Sequence, residues 1–395
     1  MNKDKRNLLI VLIMVSVMFM LSSAFFVYAA PQIPDVKPEI NIQVPPEINI
    51  QVPPDINIQV PPEINYNSSF DYKLYHDHSR YKSVLRIRMN SVYSVLSNYM
   101  DDSATLPIPG LIETCTLHNG NNSLSADYIP QGLCQAGKYW LITAYDAKKE
   151  NNSAIYVIDK TKSSLISTLT VPNTYHLGGI AFDGENIWLT GDTSDRYKGE
   201  PFVQYITFTD FNNMISEPLH EITNNEISEY VYIKNKPSFL ECDNGTLWVG
   251  TYMGRKDTAE SYMNGYRITE EEGRKKLNTT VYSLISGLDS SAQGADIEGN
   301  FLYVSSSFKG SAVGVKSSFI TKYDITPIRK GSKILNIEKR ESSRIEVPKM
   351  NEEIAVENGR IYINFESGAQ IWKNPVIRTD RLLAVKKTLW GEMKP

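Results

Sequence analysis

His176-Leu-Gly-Gly-Ile-Ala-Phe-Asp-Gly-Glu-Asn-Ile-Trp188 sets the pattern for most of the chain. A polar residue is followed by small residues and a short apolar strand. A tight Asp-Gly turn then leads into a strand centred on an aromatic. Asp-Gly and Asn-Gly supply the positive φ angles that a two-residue hairpin turn needs. The unit recurs as Gln131-Gly132 to Gly137-Lys-Tyr-Trp140, Pro237-Ser238 to Asn244-Gly245-Thr-Leu-Trp248, Gln293-Gly294 to Glu298-Gly299-Asn-Phe-Leu-Tyr303, and Glu352-Glu353 to Asn358-Gly359-Arg-Ile-Tyr362. Together with the first-quoted copy this makes five units, with their aromatics 48 to 60 residues apart. A self-similar period of this length marks a repeat architecture.

Each copy continues into a third apolar strand: 154–159, 203–208, 265–268, 319–324 and 382–386. Four copies show a fourth, at 165–171, 215–222, 280–285 and near 334–337. Four antiparallel strands per unit, repeated five times, predict an all-β, five-bladed β-propeller of four-stranded antiparallel blades. A β-sandwich or a six-bladed ring are the alternatives. The fifth copy runs out of chain before its fourth strand. Leu111–Leu117 is apolar and lacks a partner, so it is expected to close the ring.

The chain ahead of the propeller has its own organisation. Lys3, Lys5 and Arg6 precede an uncharged run from Leu8 to Tyr28 that ends in Ala29-Ala30. Its length suits a bilayer-spanning helix, and its small residues suit signal-peptidase cleavage. A cleaved signal peptide and an uncleaved signal-anchor both fit, and both place the remainder outside the cytoplasm. Residues 39–66 repeat Glu-Ile-Asn-Ile-Gln-Val-Pro-Pro with a period of eight. Paired prolines exclude helix and favour an extended stalk. Residues 78–100 carry apolar side chains at helical spacing and stop at Asp101-Asp102-Ser103. The organisation expected is therefore 1–30 signal peptide or signal-anchor, 31–66 stalk, 67–110 helical segment packing on the propeller, and 111–395 propeller.

Composition narrows function mainly by exclusion. A net charge of −4 offers no basic surplus for nucleic acid. Three cysteines are too few for a disulfide scaffold. Cys115 and Cys134 are candidates to pair, with three buried thiols as the alternative. His76-Asp77-His78 reads as a helix cap rather than a metal site, and no motif names a metal or a cofactor. Nucleophile-elbow, Walker, zinc and EF-hand signatures are absent from the sequence.

In a propeller the inner strand starts at the face where the second strand ends. Those positions collect Gln131, Tyr145, Asp146, His176, Gln293, Glu352, Glu353 and Glu366. Polar groups converging on a channel mouth are the expected ligand site, with solvation of a wet channel as the competing reading. The expected partner is an extracellular ligand or surface polymer (a glycan, a peptide or a cell-wall component), with membrane contact through the N-terminal segment if it is uncleaved. The alternative is an extracellular hydrolase, lyase or cyclase working through the same carboxylates and His176, with Glu353 and Glu366 as an acid–base pair.

These residues also carry a resemblance. Ile129-Pro-Gln-Gly-Leu133 with Ile142-Thr-Ala-Tyr-Asp146, His176-Leu-Gly-Gly-Ile180, and Pro348-Lys-Met-Asn-Glu-Glu-Ile354 with Asn364-Phe-Glu-Ser367 resemble a group of uncharacterised secreted bacterial propellers of the five-bladed type. The likeness covers residues 125–370. A more distant one, through Gln-Gly at a strand start, is to plant-type glutaminyl cyclases.

Overall fold

The hairpin turns that punctuate the sequence are present in every unit. Asn244 and Gly245 both take positive φ (45° and 65°), as do Asn358 and Gly359 (49° and 73°), matching the right-handed twist of the strands they join. The structure, a computed structural model, describes residues 93–111, 116–117, 124–125, 128–191, 200–254, 260–271, 274–307, 318–369, 371–372 and 379–392. The hydrophobic run, the octapeptide repeats and most of the expected 78–100 helix lie outside these residues. Among the described residues no helix is long and apolar enough to cross a membrane.

In chain order the elements are α1 (Ser94–Tyr99), β1 (Leu106–Pro107), β2 (Thr116–Leu117), β3 (Leu124–Ser125), β4 (Tyr128–Ala136), β5 (Tyr139–Asp146), β6 (Ala154–Asp159) and β7 (Ser164–Thr170). There follow β8 (Ile180–Phe182), β9 (Asn186–Thr190), β10 (Phe202–Thr207), α2 (Phe208–Met214), β11 (Leu219–Glu221) and β12 (Val231–Tyr232). Then come β13 (Phe239–Asp243), β14 (Thr246–Thr251), β15 (Ser261–Glu271), β16 (Arg274–Leu288), β17 (Ala292–Glu298), β18 (Phe301–Ser306), β19 (Ser318–Asp324), α3 (Thr326–Arg329), β20 (Ile334–Asn336) and β21 (Glu341–Val347). The last are β22 (Asn351–Glu357), β23 (Arg360–Phe365), β24 (Arg381–Lys386) and α4 (Leu389–Glu392).

The strands form five blades: β4-β5-β6-β7, β8-β9-β10-β12, β13-β14-β15-β16, β17-β18-β19-β21, and β22-β23-β24-β1. Inner strands β4, β8, β13, β17 and β22 neighbour one another in that order, and β22 returns to β4. This closed ring is a five-bladed β-propeller. The aromatic anchors Trp140, Trp188, Trp248, Tyr303 and Tyr362 are all buried. They fill the seams between blades, as where Trp140 meets Tyr362 with ring centroids 4.5 Å apart.

Three sequence expectations are corrected. The fourth strand of the second blade is β12, not 215–222, and that of the fourth blade is β21, not 334–337. After β10 and β19 the chain turns through α2 and α3. The next segment, β11 or β20, then lies parallel on the outer edge of the preceding blade, with Leu219 opposite Thr168 and Ile334 opposite Leu284. The first and third blades thus gain a fifth strand that covers an edge otherwise open to pairing. The third correction concerns closure. The ring is closed by β1, not by Leu111–Leu117: Leu106 pairs with Leu382, Pro107 with Arg381, and Met100 bridges to Val385. Pro107 is tolerated because an edge strand needs no donor on its outer side. At Gly110 (φ 77°) the chain leaves the edge, Leu111 turns into the core, and Thr116–Leu117 pair with β3 instead. Leu96 and Met100 pack with α4 residues Leu389 and Trp390 on the fourth and fifth blades.

The axis is tightly filled. A Cβ on Gly179 would fall 2.5 Å from the Leu240 amide nitrogen, and one on Gly294 2.5 Å from the Glu353 Cα. Glycine at these positions lets neighbouring inner strands approach backbone to backbone.

Candidate functional site

The polar strand starts coincide with irregularities in the ladder. Register slips occur between Pro130 and Leu133, between Ala292 and Gly294, and between Asn351 and Ile354. The residues inside these slips are Gln131 with Gly132, Gln293, and Glu352 with Glu353. A bulge re-aims side chains away from the regular alternation, so three blades turn polar groups toward one end of the ring by the same device. Four of the five connections leaving that end, at 192–199, 255–259, 308–317 and 373–378, fall outside the described residues.

Tyr145, His176, Glu352 and Glu366 come together where the first, second and fifth blades meet. The Tyr145 ring tilts against the exposed His176 imidazole, with centroids 4.5 Å apart. The Tyr145 hydroxyl is pushed far up in pKa by burial, and then by the charges of Glu366 and Glu352. Both carboxylate side chains are buried. Lys149 Nζ lies 5.1 Å from the Tyr145 ring centre. At the same end, at the start of β24, the buried Arg381 Nε stands 3.1 Å from Asp380 Oδ1. Sequence reasoning passed over this pair because it lies outside the repeating unit.

The other expected residues have different surroundings. Gln131 is buried. Its side-chain amide donates to Pro130 O at 2.6 Å, and its backbone carbonyl accepts from Asn364 Nδ2 at 2.9 Å, tying the fifth blade to the first. Asp146 organises the β5–β6 loop: Oδ1 accepts from Lys148 N at 3.1 Å, and Oδ2 from Glu150 N, Asn151 N and Asn151 Nδ2 at 2.9 to 3.0 Å. Such side-chain to backbone bonds fix a turn. Gln293 is half-buried in the bulge of the fourth blade. Glu353 lies at a seam: Oε1 accepts from Ala295 N at 2.6 Å and from Ile354 N at 3.2 Å. Burial raises its pKa well above the usual carboxylate range, against the pull of those amides.

Two acidic residues near the axis were not expected. Glu241 and Asp296 stand opposite the anchors Trp248 and Tyr303 on their hairpins. Although each keeps some accessible area, burial is the first cause of a raised pKa in both. Asp296 is raised to about 7, and Glu241 is raised further by the charges of Asp296 and Glu353. Asp296 Oδ2 accepts from Val356 N at 2.8 Å, across to the next blade. Their sequence signal was a carboxylate at a position filled by Ala181 and Ala355 in other copies. Nearby, Cys134 is a free, buried thiol whose pKa burial drives up, and Cys242 is free as well. Among the described residues no group of three His, Cys, Asp or Glu side chains is arranged to hold a metal ion; His76, Asp77 and His78 lie outside them.

No protein-family model matches the chain, and no curated protein matches it, so no sequence match supports the resemblance to secreted bacterial propellers. Among solved structures, the glutaminyl cyclase of Myxococcus xanthus is similar to it over 71% of this chain and 92% of that chain, with a TM-score of 0.39 and 10% sequence identity.

Proposed function

We propose that this chain is an exported propeller that binds an amine-bearing glycan, peptide or cell-wall component at the end where Tyr145, His176, Glu352 and Glu366 meet. The observation that carries the reading is the Tyr145–His176 pair beside two buried carboxylates. Carboxylates gathered in one place favour a cationic ligand group, and aromatic faces suit both cations and sugar rings. Export rests on the charged residues ahead of the Leu8–Tyr28 run. Binding is favoured over turnover because Glu353, the expected partner of Glu366 in acid–base work, already accepts two backbone amides at a blade seam.

The test is a thermal-shift screen of the full chain with diamines, amino sugars, chitosan oligomers, peptides with free N-termini, and neutral sugars as controls. A ligand at about 100 times its Kd adds about 2.7 kcal/mol to stability. The reading requires an amine-bearing hit that is weakened by Glu366→Gln or Glu352→Gln. A screen without an amine-bearing hit, or a hit unchanged in both variants, would overturn it.

A further inference from the structure

The second and third blades carry the same turn in two versions, Asp183-Gly-Glu-Asn-Ile-Trp188 and Asp243-Asn-Gly-Thr-Leu-Trp248. In the second blade the aspartate satisfies the indole five residues on: Trp188 Nε1 donates to Asp183 Oδ2 at 2.8 Å. In the third blade that partner is taken. Arg329 of α3 grips Asp243 with both terminal nitrogens, Nη1 on Oδ2 and Nη2 on Oδ1, the latter at 3.1 Å. Trp248 is only 2% exposed, and its Nε1 has no hydrogen-bond acceptor among the described residues. Leaving a buried donor unsatisfied is costly, so the exchange needs an explanation.

Trp248 lines a cleft of about 230 Å³ with Arg267, Tyr282, Thr246, Ser283 and Ser332. This cleft is at the hairpin-turn end of the third blade, opposite the end that carries Tyr145 and His176. Arg267 makes no ion pair among the described residues. Its guanidinium lies 4.1 Å over the Tyr282 ring, and Lys333 Nζ lies 5.0 Å from the same ring. Two cations, Arg267 and Arg329, thus line the cleft with Lys333 beside its Tyr282 wall, against one lining carboxylate, Asp243, that Arg329 already holds. The volume is below the roughly 300–1,000 Å³ of pockets for drug-sized ligands, so the occupant is small.

We propose that this cleft is a second binding site, for the carboxylate or phosphate of a small molecule, with Arg267 supplying the charge and Trp248 Nε1 the orienting N–H. Arginine is the side chain best matched to planar or tetrahedral oxyanions. The capture of Asp243 by Arg329 leaves the indole donor without that acceptor and pairs the charge of the one carboxylate on the cleft wall, which would otherwise repel such a ligand.

The test uses the full chain labelled with ¹⁵N-tryptophan, titrated with inorganic phosphate, with galacturonate, and with galactose as the uncharged control. The Trp248 indole signal, identified by its loss in Trp248→Phe, is expected to move saturably with one of the two anions and not with galactose. Which anion saturates distinguishes phosphate from sugar acid. Calorimetry on the wild type and on Arg267→Gln gives an independent readout if Trp248→Phe does not fold, since Arg267 is partly exposed. Arg267→Gln is expected to weaken binding about tenfold or more, about 1.4 kcal/mol. The proposal is overturned if neither anion binds saturably below roughly 50 mM, an affinity too weak for a built site. It is also overturned if galactose moves the signal equally, or if Arg267→Gln binds as tightly as the wild type.

Discussion

Glu353 Oε1 stands 2.6 Å from the amide nitrogen of Ala295 on the neighbouring blade. The same device recurs around the axis. Asp296 reaches Val356 N, and Glu241 is drawn toward the Ile297 amide. Thr143 Oγ1 donates to Leu177 O at 2.7 Å, and Asn364 bonds Gln131. The blades are held by polar latches between inner strands as well as by aromatic packing.

These latches give the fold a pH signature. Asp296 is raised to about 7, above the value near 4 of a free aspartate. A raised folded-state pKa means that the folded protein holds the proton more tightly than the unfolded chain. The stabilisation is full below the unfolded value and is lost as pH rises through about 7. Glu241 and Glu353 shift in the same direction. Urea denaturation should therefore show stability falling between about pH 5 and pH 8. Asp296→Asn keeps an acceptor for Val356 N and should flatten the fall, adding on the order of 2 kcal/mol at the upper end. An unchanged slope in the variant would remove Asp296 as its source.

The crowded axis predicts a contrast between two glycines. Gly179→Ala places a methyl 2.5 Å from the Leu240 nitrogen and should cost about 3 kcal/mol or more. Gly299→Ala has open space but a φ of 59°, and should cost about 1 kcal/mol. Equal melting temperatures for the two variants would show that the inner strands have room to part.

Closure by β1 predicts that Ile108, fully buried beside it, matters far more than its place ahead of the repeats suggests. Ile108→Ala should destabilise by about 2–4 kcal/mol. Val95→Ala, at a side chain 58% exposed, should change stability by less than about 0.5 kcal/mol. If Ile108→Ala melts with the wild type, the closing strand contributes nothing to the ring.

At the proposed ligand end, His176→Ala is expected to leave stability within about 0.5 kcal/mol, because the imidazole is exposed. The same substitution should weaken an amine-bearing ligand roughly tenfold, about 1.4 kcal/mol. Affinity by calorimetry beside melting temperature separates the two effects, and unchanged affinity would take His176 out of the site.

The ring was legible because its signals are local. Each Asp-Gly or Asn-Gly turn lies a few residues ahead of a buried aromatic, and the period counts the blades. Which outer strand belongs to which blade was not legible. Ile215–Ile222 and Ile334–Ile337 have suitable apolar content, but α2 and α3 return them to the previous blade, and that choice depends on contacts far apart in sequence. Closure was misplaced for a related reason: Leu111–Leu117 is the more apolar run, whereas the strand that pairs with β24 is only two residues long and contains Pro107, which an edge position accepts. At the site, the strand-start rule placed Tyr145, His176, Glu352 and Glu366 at one end. It did not separate them from Asp146 and Glu353, because a carboxylate that binds backbone amides has the same letter as one that faces a ligand.

The fifth blade is assembled from the two extremes of the described chain: Ala384 N donates to Thr105 Oγ1 across 279 residues of sequence. On a ribosome the closing strand emerges before any of the repeats and must wait for its partner β24 until all four preceding blades have been made. The entropy of gathering so long a loop grows only slowly with its length, but contacts this distant delay the transition state. The order of synthesis therefore keeps the ring open, with the facing sides of its first and fourth blades uncovered, until β24 has been made. A chain that stalls before Arg381 lacks β24, the strand on which β1 docks, and is left with a cleft in place of a seam.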